Sequence, residues 1–493
     1  MRWIGLIAAC LLMGCSGLHG PVEGQSQTRN NVVSVDWDGN YYPLPSNDDV
    51  KVDSDASFDA LKPCYRDNSS DACQDELQRH LDATTAHFDA IFEQILIFNQ
   101  TEGGKKRIVL YIHGGLNSRN GALKRAVKAA GQMKDQGIYP IFINWRSGLM
   151  SSLGDHYFRI RDGQLSRTAP LSSPVYILGD ALGTVAGAPV AWWKEAQHAF
   201  VSSVNREKKD ARLLTVSEDG IQYLNPDNEK NTSELLRTTW WWVTSPVKIV
   251  TTPAVHTIGK PAWNSMLRRV DVQFVRPLDF PNGAWETGVK KRSALRMSAS
   301  PPPENEPMPG TGATLLFAQR LQAFQEQHPD YRVTLIGHSM GGIAVNRVLQ
   351  NVPDLRVDDV VFMASADTLD NFLHTSLPYV ERQLRKGRDV RLYNLFLHPE
   401  NEDREVSAWG FSPSGSLLVW IDYAFGDPDY ILQRTAGRWS NMKEALPLIK
   451  VDVRDHVYFK VFGKTKDKCG QPQKHGAFDD CDFPFWDRAY WWQ

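Results

Sequence analysis

The sequence predicts an α/β fold, a doubly wound and mostly parallel sheet (residues 32–147 and 311–493) interrupted by a large inserted helical cap (148–310). Three observations predict it. First, short apolar runs that read as strands alternate with amphipathic runs that read as helices, an order that joins parallel strands by helical crossovers. Second, Val333-Thr-Leu-Ile-Gly-His-Ser-Met-Gly-Gly342 reads as strand, tight turn and helix start, with Ser339 at the apex. Third, the alternation lapses between about Gly148 and Gly310, a stretch that closes on Pro301-Pro-Pro-Glu-Asn-Glu-Pro-Met-Pro309, a proline-rich connector.

Composition sets the outer bounds. The 493 residues are enough for a large core plus an extra domain, and 42% hydrophobic with 23% charged residues is ordinary for a globular protein. A formal net charge of −2 gives no reason to expect a nucleic-acid partner, and a mean hydropathy of −0.39 describes a mostly soluble chain. The beginning is not fold. Arg2 gives a positive start, and the apolar run from Trp3 to Met13 is too short to cross a bilayer. Leu12-Met13-Gly14-Cys15 resembles the bacterial lipobox. That resemblance implies a signal peptide over 1–14, cleavage before Cys15 and a diacylglycerol on its thiol, a membrane anchor made of several acyl chains. Ser16 in place of Asp points, by the same resemblance, to the outer membrane of a bacterial envelope. An ordinary secretory signal cut elsewhere is the alternative. Residues 15–31, polar and glycine-rich, read as a tether.

Of six cysteines, setting aside Cys10 and Cys15 leaves two close pairs, Cys64/Cys73 and Cys469/Cys481. In an exported protein these read as two local disulfides, and the CxxC spacing of a zinc site is missing.

Along the chain, Asp38-Gly39 between apolar alternations in Val32 to Tyr42 signals a hairpin. Gln74 to Phe98 reads as an amphipathic helix, with Leu77, Leu81, Phe88, Phe92 and Ile95 on one face. Arg107 to Ile112 is a buried strand, Ala122 to Gln136 a helix and Tyr139 to Asn144 a strand. Trp145-Arg146-Ser147 lines a site or caps that strand. Within the insertion, Ser173-Pro174 signals a helix start. Val175 to Trp193 follows with Asp180 as its one charge and with Gly179, Gly183 and Gly187 on one face. A cap helix packed tightly on the core is the expectation, a membrane-embedded helix the alternative. Trp240-Trp241-Trp242-Val243 suits core packing or a lipid headgroup region. Thr311 to His328 is a helix leading into the Val333 strand. Ile343 to Leu349 is the helix after the turn, and Asp359 to Ala364, Val390 to Leu397 and Ile449 to Phe462 are the remaining strands.

Gly337-His338-Ser339-Met340-Gly341 fits G-x-S-x-G. Flanked by strand and helix, it resembles the nucleophile turn of the α/β-hydrolase superfamily, in particular its serine lipases and esterases. A glycine-rich turn with an idle serine is the plain alternative. The resemblance covers about half of the chain, and it implies a fold and a mechanism rather than a substrate. Ser339 is then the nucleophile, aimed off the sheet edge at the start of a helix. His113-Gly114-Gly115-Leu116, after the Arg107 strand, is similar to the HG turn that supplies one oxyanion N–H in such lipases. The donors implied are Gly115, with Leu116 as second choice, and Met340. Chain order in the superfamily is serine, acid, histidine, which reduces thirteen histidines to His456 and His475. His456 falls inside the expected last strand. His475 follows it in a loop bracketed by Cys469 and Cys481, and His475-Gly-Ala-Phe-Asp-Asp with Phe485-Trp486 resembles the catalytic-histidine loop of several lipases. The acid implied lies past the Val390 strand, at Asp403 or else Glu402, with Asp367 after the preceding strand as a third option. His113 and His338 read as scaffold. No metal or nucleotide motif is present, so no cofactor and no metal is expected. The expected protein is a lipid-anchored envelope serine hydrolase acting on a lipid or other hydrophobic ester. An acyltransferase or thioesterase using the same triad, or a non-catalytic envelope interaction protein, uses the same scaffold.

Overall fold

The structure is a computed structural model that describes residues 21–50, 60–65, 70–101, 103–115, 117–161, 164–165, 169–204, 212–217, 220–224, 252–253, 255–257, 259–279, 310–405, 415–426, 428–462, 471–479 and 483–492. Cys15, Leu116, the Trp240–Trp242 run, the 301–309 connector and the Cys469/Cys481 pair lie outside these residues. Among the described residues, seven strands make the mostly parallel part of the expected α/β sheet and an antiparallel hairpin brings it to nine, with helices flanking it. The chain divides into two compact units: Met1–Ser166 with Ser265–Val360 and His374–Val390, and Arg167–Asn264 with Val361–Leu373 and Arg391–Gln493.

In the first unit Arg107–Ile112 is the central strand. It pairs in parallel with Ile138–Trp145 on one side and with Arg332–His338 on the other, while Val32–Val35 pairs in parallel with Ile138–Trp145. Ile108 to Ile112 and Val333 to Ile336 are buried without alternation, as strands covered on both faces must be. Helix Asp71–Thr101 packs on helix Ala313–Gln327, with Phe92 stacked on Phe324 at 5.0 Å and Phe88 edge-on to Phe317 at 5.2 Å. The helix-start serine of Arg119–Asp135 is Ser118, whose side chain accepts from the Gly121 N–H.

The expected hairpin after Val35 is a turn closed by a single antiparallel bridge, Val35 to Tyr41. Gly39 has φ +86°, and a Cβ there would lie 1.8 Å from the carbonyl oxygen of Val272. The expected tether is folded from Val22 onward: the Gln25 amide donates to the carbonyl of Val50, and Asn31 donates to that of Pro140. Polar composition suggested a free linker, but these amides satisfy backbone groups inside the fold. Cys64 and Cys73 form a disulfide packed against Leu61 and Leu278. Two arginines of the insertion are buried in this unit. Arg268 pairs with Asp38 at 2.7 Å, and Arg269 pairs with Asp155 while donating to the carbonyl of Arg146 and the hydroxyl of Ser152.

In the second unit Arg391–Phe396 pairs in parallel with Val457–Val461. The insertion is not wholly helical. Its hairpin Arg212–Ser217 and Gly220–Leu224 adds to this sheet, with Arg212–Ser217 antiparallel to Val457–Val461. Asp359–Met363 has its first two residues in the first unit and the rest in the second.

The last strand is shorter than expected. Val451–Arg454 is a helical turn, with Asp452 in its first turn and Arg454 in its last, where each charge suits the helix dipole. The inserted helix is longer than expected, Ala169–Val204, with Pro174 and Pro189 inside it. Ser173 is not its cap; its hydroxyl donates to the carbonyl of Ala169. Nor is the helix packed tightly through its glycines. Among the described residues, nothing lies within 4 Å of a Cβ placed on Gly179, and a Cβ on Gly183 would meet only Thr257, at 3.4 Å.

Candidate active site

Ser339 stands between the strand Arg332–His338 and the helix Met340–Asn351 with φ 53° and ψ −118°. A non-glycine residue holds such a backbone only where its surroundings force it. The forcing contacts are visible. A Cβ on Gly341 would lie 2.0 Å from the carbonyl oxygen of Ile112, and one on Gly337 would lie 2.7 Å from that of Gly341. Glycine at both positions lets strand and helix close to within that distance, so the turn is cramped by construction. The serine is 1% exposed, and the Met340 N–H opens the helix, where it has no acceptor within the helix.

Gly114 and Gly115 flank this turn. A Cβ on Gly114 would meet Ser339 Cβ at 2.8 Å, and one on Gly115 would meet Met340 Sδ at 2.7 Å and Met266 Cε at 2.6 Å. The Gly114 carbonyl accepts from His113 Nδ1 at 2.8 Å, Ser147 Oγ at 2.9 Å and Asn117 Nδ2 at 3.2 Å. That carbonyl and the N–H of Gly115 belong to one planar peptide, so fixing the oxygen fixes the direction of the N–H. His113 Nε2 accepts from the Trp145 N–H at 3.2 Å, which leaves Nδ1 as the protonated nitrogen. His113 is therefore a neutral scaffold group, stacked on Trp145 at 5.6 Å between centroids.

His475 begins a short 3-10 turn, His475–Ala477, in the second unit. Its backbone N–H donates to Glu405 Oε2 at 2.8 Å, and Asn401 donates to Gln473 at 2.9 Å. The segment carrying the candidate acids thus braces the histidine loop. Phe478 anchors the loop from behind, packing on Phe462 at 5.7 Å and Phe483 at 6.4 Å. His456 immediately precedes the strand Val457–Val461, and its carbonyl accepts from the Leu392 N–H at the start of the parallel partner strand. It sits at the opposite end of that strand from the His475 loop.

The three acids differ in surroundings. Asp403 is ion-paired with Arg438 at 3.2 Å, and Arg438 also pairs with Asp422 at 2.8 Å. Burial works against charge on Arg438, but Asp422 and Asp403 hold it charged. Glu402 is fully enclosed, accepting from Ser416, and burial pushes its carboxyl up to about 8 despite the opposing pull of Arg438. Asp367 accepts from the Thr368 N–H at 2.8 Å and the Asn371 side chain at 2.6 Å, in a loop clamped by Ala436 and Gly437.

The alpha/beta hydrolase fold family matches residues 297–402, a span that contains the strand, the Ser339 turn and the helix beyond it. This chain has the α/β-hydrolase fold. Comparison with curated proteins and with solved structures finds no match.

In this hydrolase-fold chain the structure brings Ser339, Met340 and Gly115 into one unit, and His475, Glu402 and Asp403 into the other. Ser147, read from the sequence as lining a site or capping its strand, bonds the Gly114 carbonyl. Two residues near the site escape sequence reasoning. Met266 comes from deep in the insertion, and no local pattern ties it to Gly115. Asn117 acts through a backbone carbonyl, which leaves no motif. Glu405 was within reach, two residues past Asp403 in the same acidic run.

Proposed function

We propose that this protein is a serine hydrolase of carboxylic esters, with a lipid or another hydrophobic ester as substrate. The observation that carries the reading is Ser339 at φ 53° on the first turn of Met340–Asn351, hemmed in by glycines whose replacement would strike backbone. A serine is held in that conformation at a cost in strain, and placing its Oγ at a helix N-terminus is what the strain achieves.

In this reading His475 takes the proton of Ser339 Oγ as that oxygen attacks the acyl carbonyl. The N–H groups of Gly115 and Met340 receive the oxyanion. His475 returns the proton to the departing alkoxide, the alcohol leaves and Ser339 keeps the acyl group. Water then repeats the sequence and frees the acid. Asp403 orients the imidazole. Glu402 is less suited to that work, because a carboxyl held at about 8 is largely protonated near neutrality and cannot stabilise an imidazolium. Cys15 as lipid attachment site anchors the enzyme to the bacterial envelope at the outer membrane, and no nucleic acid or metal takes part.

The test is hydrolysis of p-nitrophenyl esters of graded chain length by the full chain. Ser339→Ala and His475→Ala should each lower kcat by roughly 10³-fold or more, and Asp403→Asn by less. If Asp403→Asn retains full activity while Glu402→Gln, Glu405→Gln or Asp367→Asn does not, the acid is reassigned. If Ser339→Ala hydrolyses esters as fast as the parent, the proposal fails.

A further inference from the structure

The helix Ala169–Val204 is amphipathic in the opposite sense from a helix of a soluble core. Its less exposed stripe runs through Ser173, Asp180, Gly183, Gly187 and Ala191, at intervals of seven, three, four and four, and it is made of small and polar side chains. Gly183 and Gly187 face Thr257, and Thr184 closes on its own helix by donating to the carbonyl of Asp180 at 2.8 Å. The large apolar side chains point away from the protein. Leu171, Val175, Leu178, Leu182, Val185 and Trp193 are between 60% and 82% exposed. Only 11% of the most apolar stretch of Ala169–Lys194 lies inside the protein. A helix in water turns its leucines and valines inward, so this face calls for an apolar surrounding.

We infer that this face is seated in a lipid bilayer, as a second membrane contact separate from the N-terminal anchor. Asp180 is the one charge between Ala169 and Trp193. Trp192, Trp193 and Lys194 end the apolar stretch with the residue types that settle at the boundary of lipid and water. The 26 residues span about 39 Å at 1.5 Å per residue, more than a hydrocarbon core of about 30 Å. The helix nonetheless lies in the plane of the interface rather than crossing it. Its small-residue stripe faces Thr257 at Gly183 and Gly187, the helix also contacts the turn Ile421–Phe425, and the chain is back in the sheet at Arg212, eight residues after the helix ends. A helix lying flat wets one face with lipid and keeps the other on its own protein, and this distribution of residues matches that arrangement. The inference does not depend on the triad.

The test places an environment-sensitive nitrobenzoxadiazole dye on Leu178→Cys or Val185→Cys in the full chain, with Lys124→Cys on the exposed side of Arg119–Asp135 as the reference. The protein is read before and after reconstitution into phosphatidylcholine–phosphatidylglycerol vesicles. The expected result is a severalfold rise and blue shift at 178 and 185 on adding vesicles, quenching there by acyl-chain nitroxides, and no change at 124. Anchoring through the N-terminus alone leaves all three dyes in water, equally quenched by iodide, and that result overturns the inference. So does a blue shift at 178 and 185 without vesicles together with a doubled mass, which assigns the face to a second copy of the chain.

Discussion

The carbonyl of Gly114 takes three hydrogen bonds, and the donor that can be removed with least disturbance is Ser147, 2.9 Å away. If the Gly115 N–H serves the oxyanion, loosening this peptide weakens a contact that matters only in the transition state. Deleting an oxyanion donor outright costs roughly 10²–10³-fold in kcat, so loosening one should cost ~10-fold with KM unchanged. Steady-state kinetics of Ser147→Ala on a soluble ester checks this; a rise in KM at constant kcat would instead make Ser147 a binding residue. Asn117, itself held by Arg125, should behave the same way. Gly114→Ala is harsher, because its Cβ would press on Ser339 Cβ at 2.8 Å. Displacing the nucleophile by a fraction of an ångström predicts a loss of roughly 10²-fold in kcat/KM with the fold intact by circular dichroism.

Among the elements, a buried ion pair joins two segments of the insertion inside the first unit, alongside the buried apolar side chains of Met266, Val270 and Phe274. Arg269 is 1% exposed at its side chain and pairs with Asp155, while four further hydrogen bonds reach Arg146, Ser151 and Ser152. Asp155→Asn leaves the guanidinium buried without its counter-charge and should cost about 3 kcal/mol, read as a lower urea midpoint at unchanged slope. A loss below the measurement error would mean that the hydrogen bonds alone suffice. Nothing in the sequence marks Arg269, since a long-range partner 114 positions away has no local signature. Local signals fared better. Arg107–Ile112 was legible to the residue, because an apolar run that follows Lys105-Lys106-Arg107 and meets His113-Gly114-Gly115 has only one place to start and stop. The Ser339 turn was legible for a similar reason: glycines two before and two after the serine answer a steric demand that only they can meet. Ile449 to Phe462 misled because it alternates on both sides of Asp455-His456, and alternation is silent about where a strand begins. The dipole-matched charges at Asp452 and Arg454 were the overlooked sign of a helical turn there. The inserted helix misled differently. Gly179, Gly183 and Gly187 are the spacing of a close helix contact, but that spacing does not reveal which side of the helix the protein occupies.

For the molecule as a whole, buried titratable groups set how stability follows pH. Burial, with the Asp38 charge adding to it, pushes the Asp36 carboxyl up to about 7, and burial takes Glu402 up to about 8. Both hold protons more tightly folded than unfolded, so their contribution is fully present below the ordinary carboxyl values of 3.8 and 4.5 and is lost as pH rises through about 7 and about 8. His80 and His87 work the other way. Burial first, then Arg276 and Arg29 respectively, lower them to about 4 from 6.5, so their contribution is present above 6.5 and lost as pH falls through about 4. The two effects oppose between about 4.5 and 6.5; above 6.5 the carboxyl effect remains, until Lys460, lowered by burial to about 8 from 10.5, begins to oppose it as pH approaches 8. Tm should therefore fall from pH 6.5 to 8, and Glu402→Gln should reduce that fall while leaving Tm near pH 5 unchanged; an equally steep fall in the variant would place the effect elsewhere. The central claim concerns one oxygen atom, Ser339 Oγ, as an activated nucleophile. A fluorophosphonate probe, followed by peptide mass spectrometry of the full chain, tests it most directly. The account predicts a single stoichiometric adduct on the peptide containing Ser339, absent from Ser339→Ala and strongly slowed in His475→Ala. An unlabelled wild type, or equal labelling of wild type and Ser339→Ala, would contradict it.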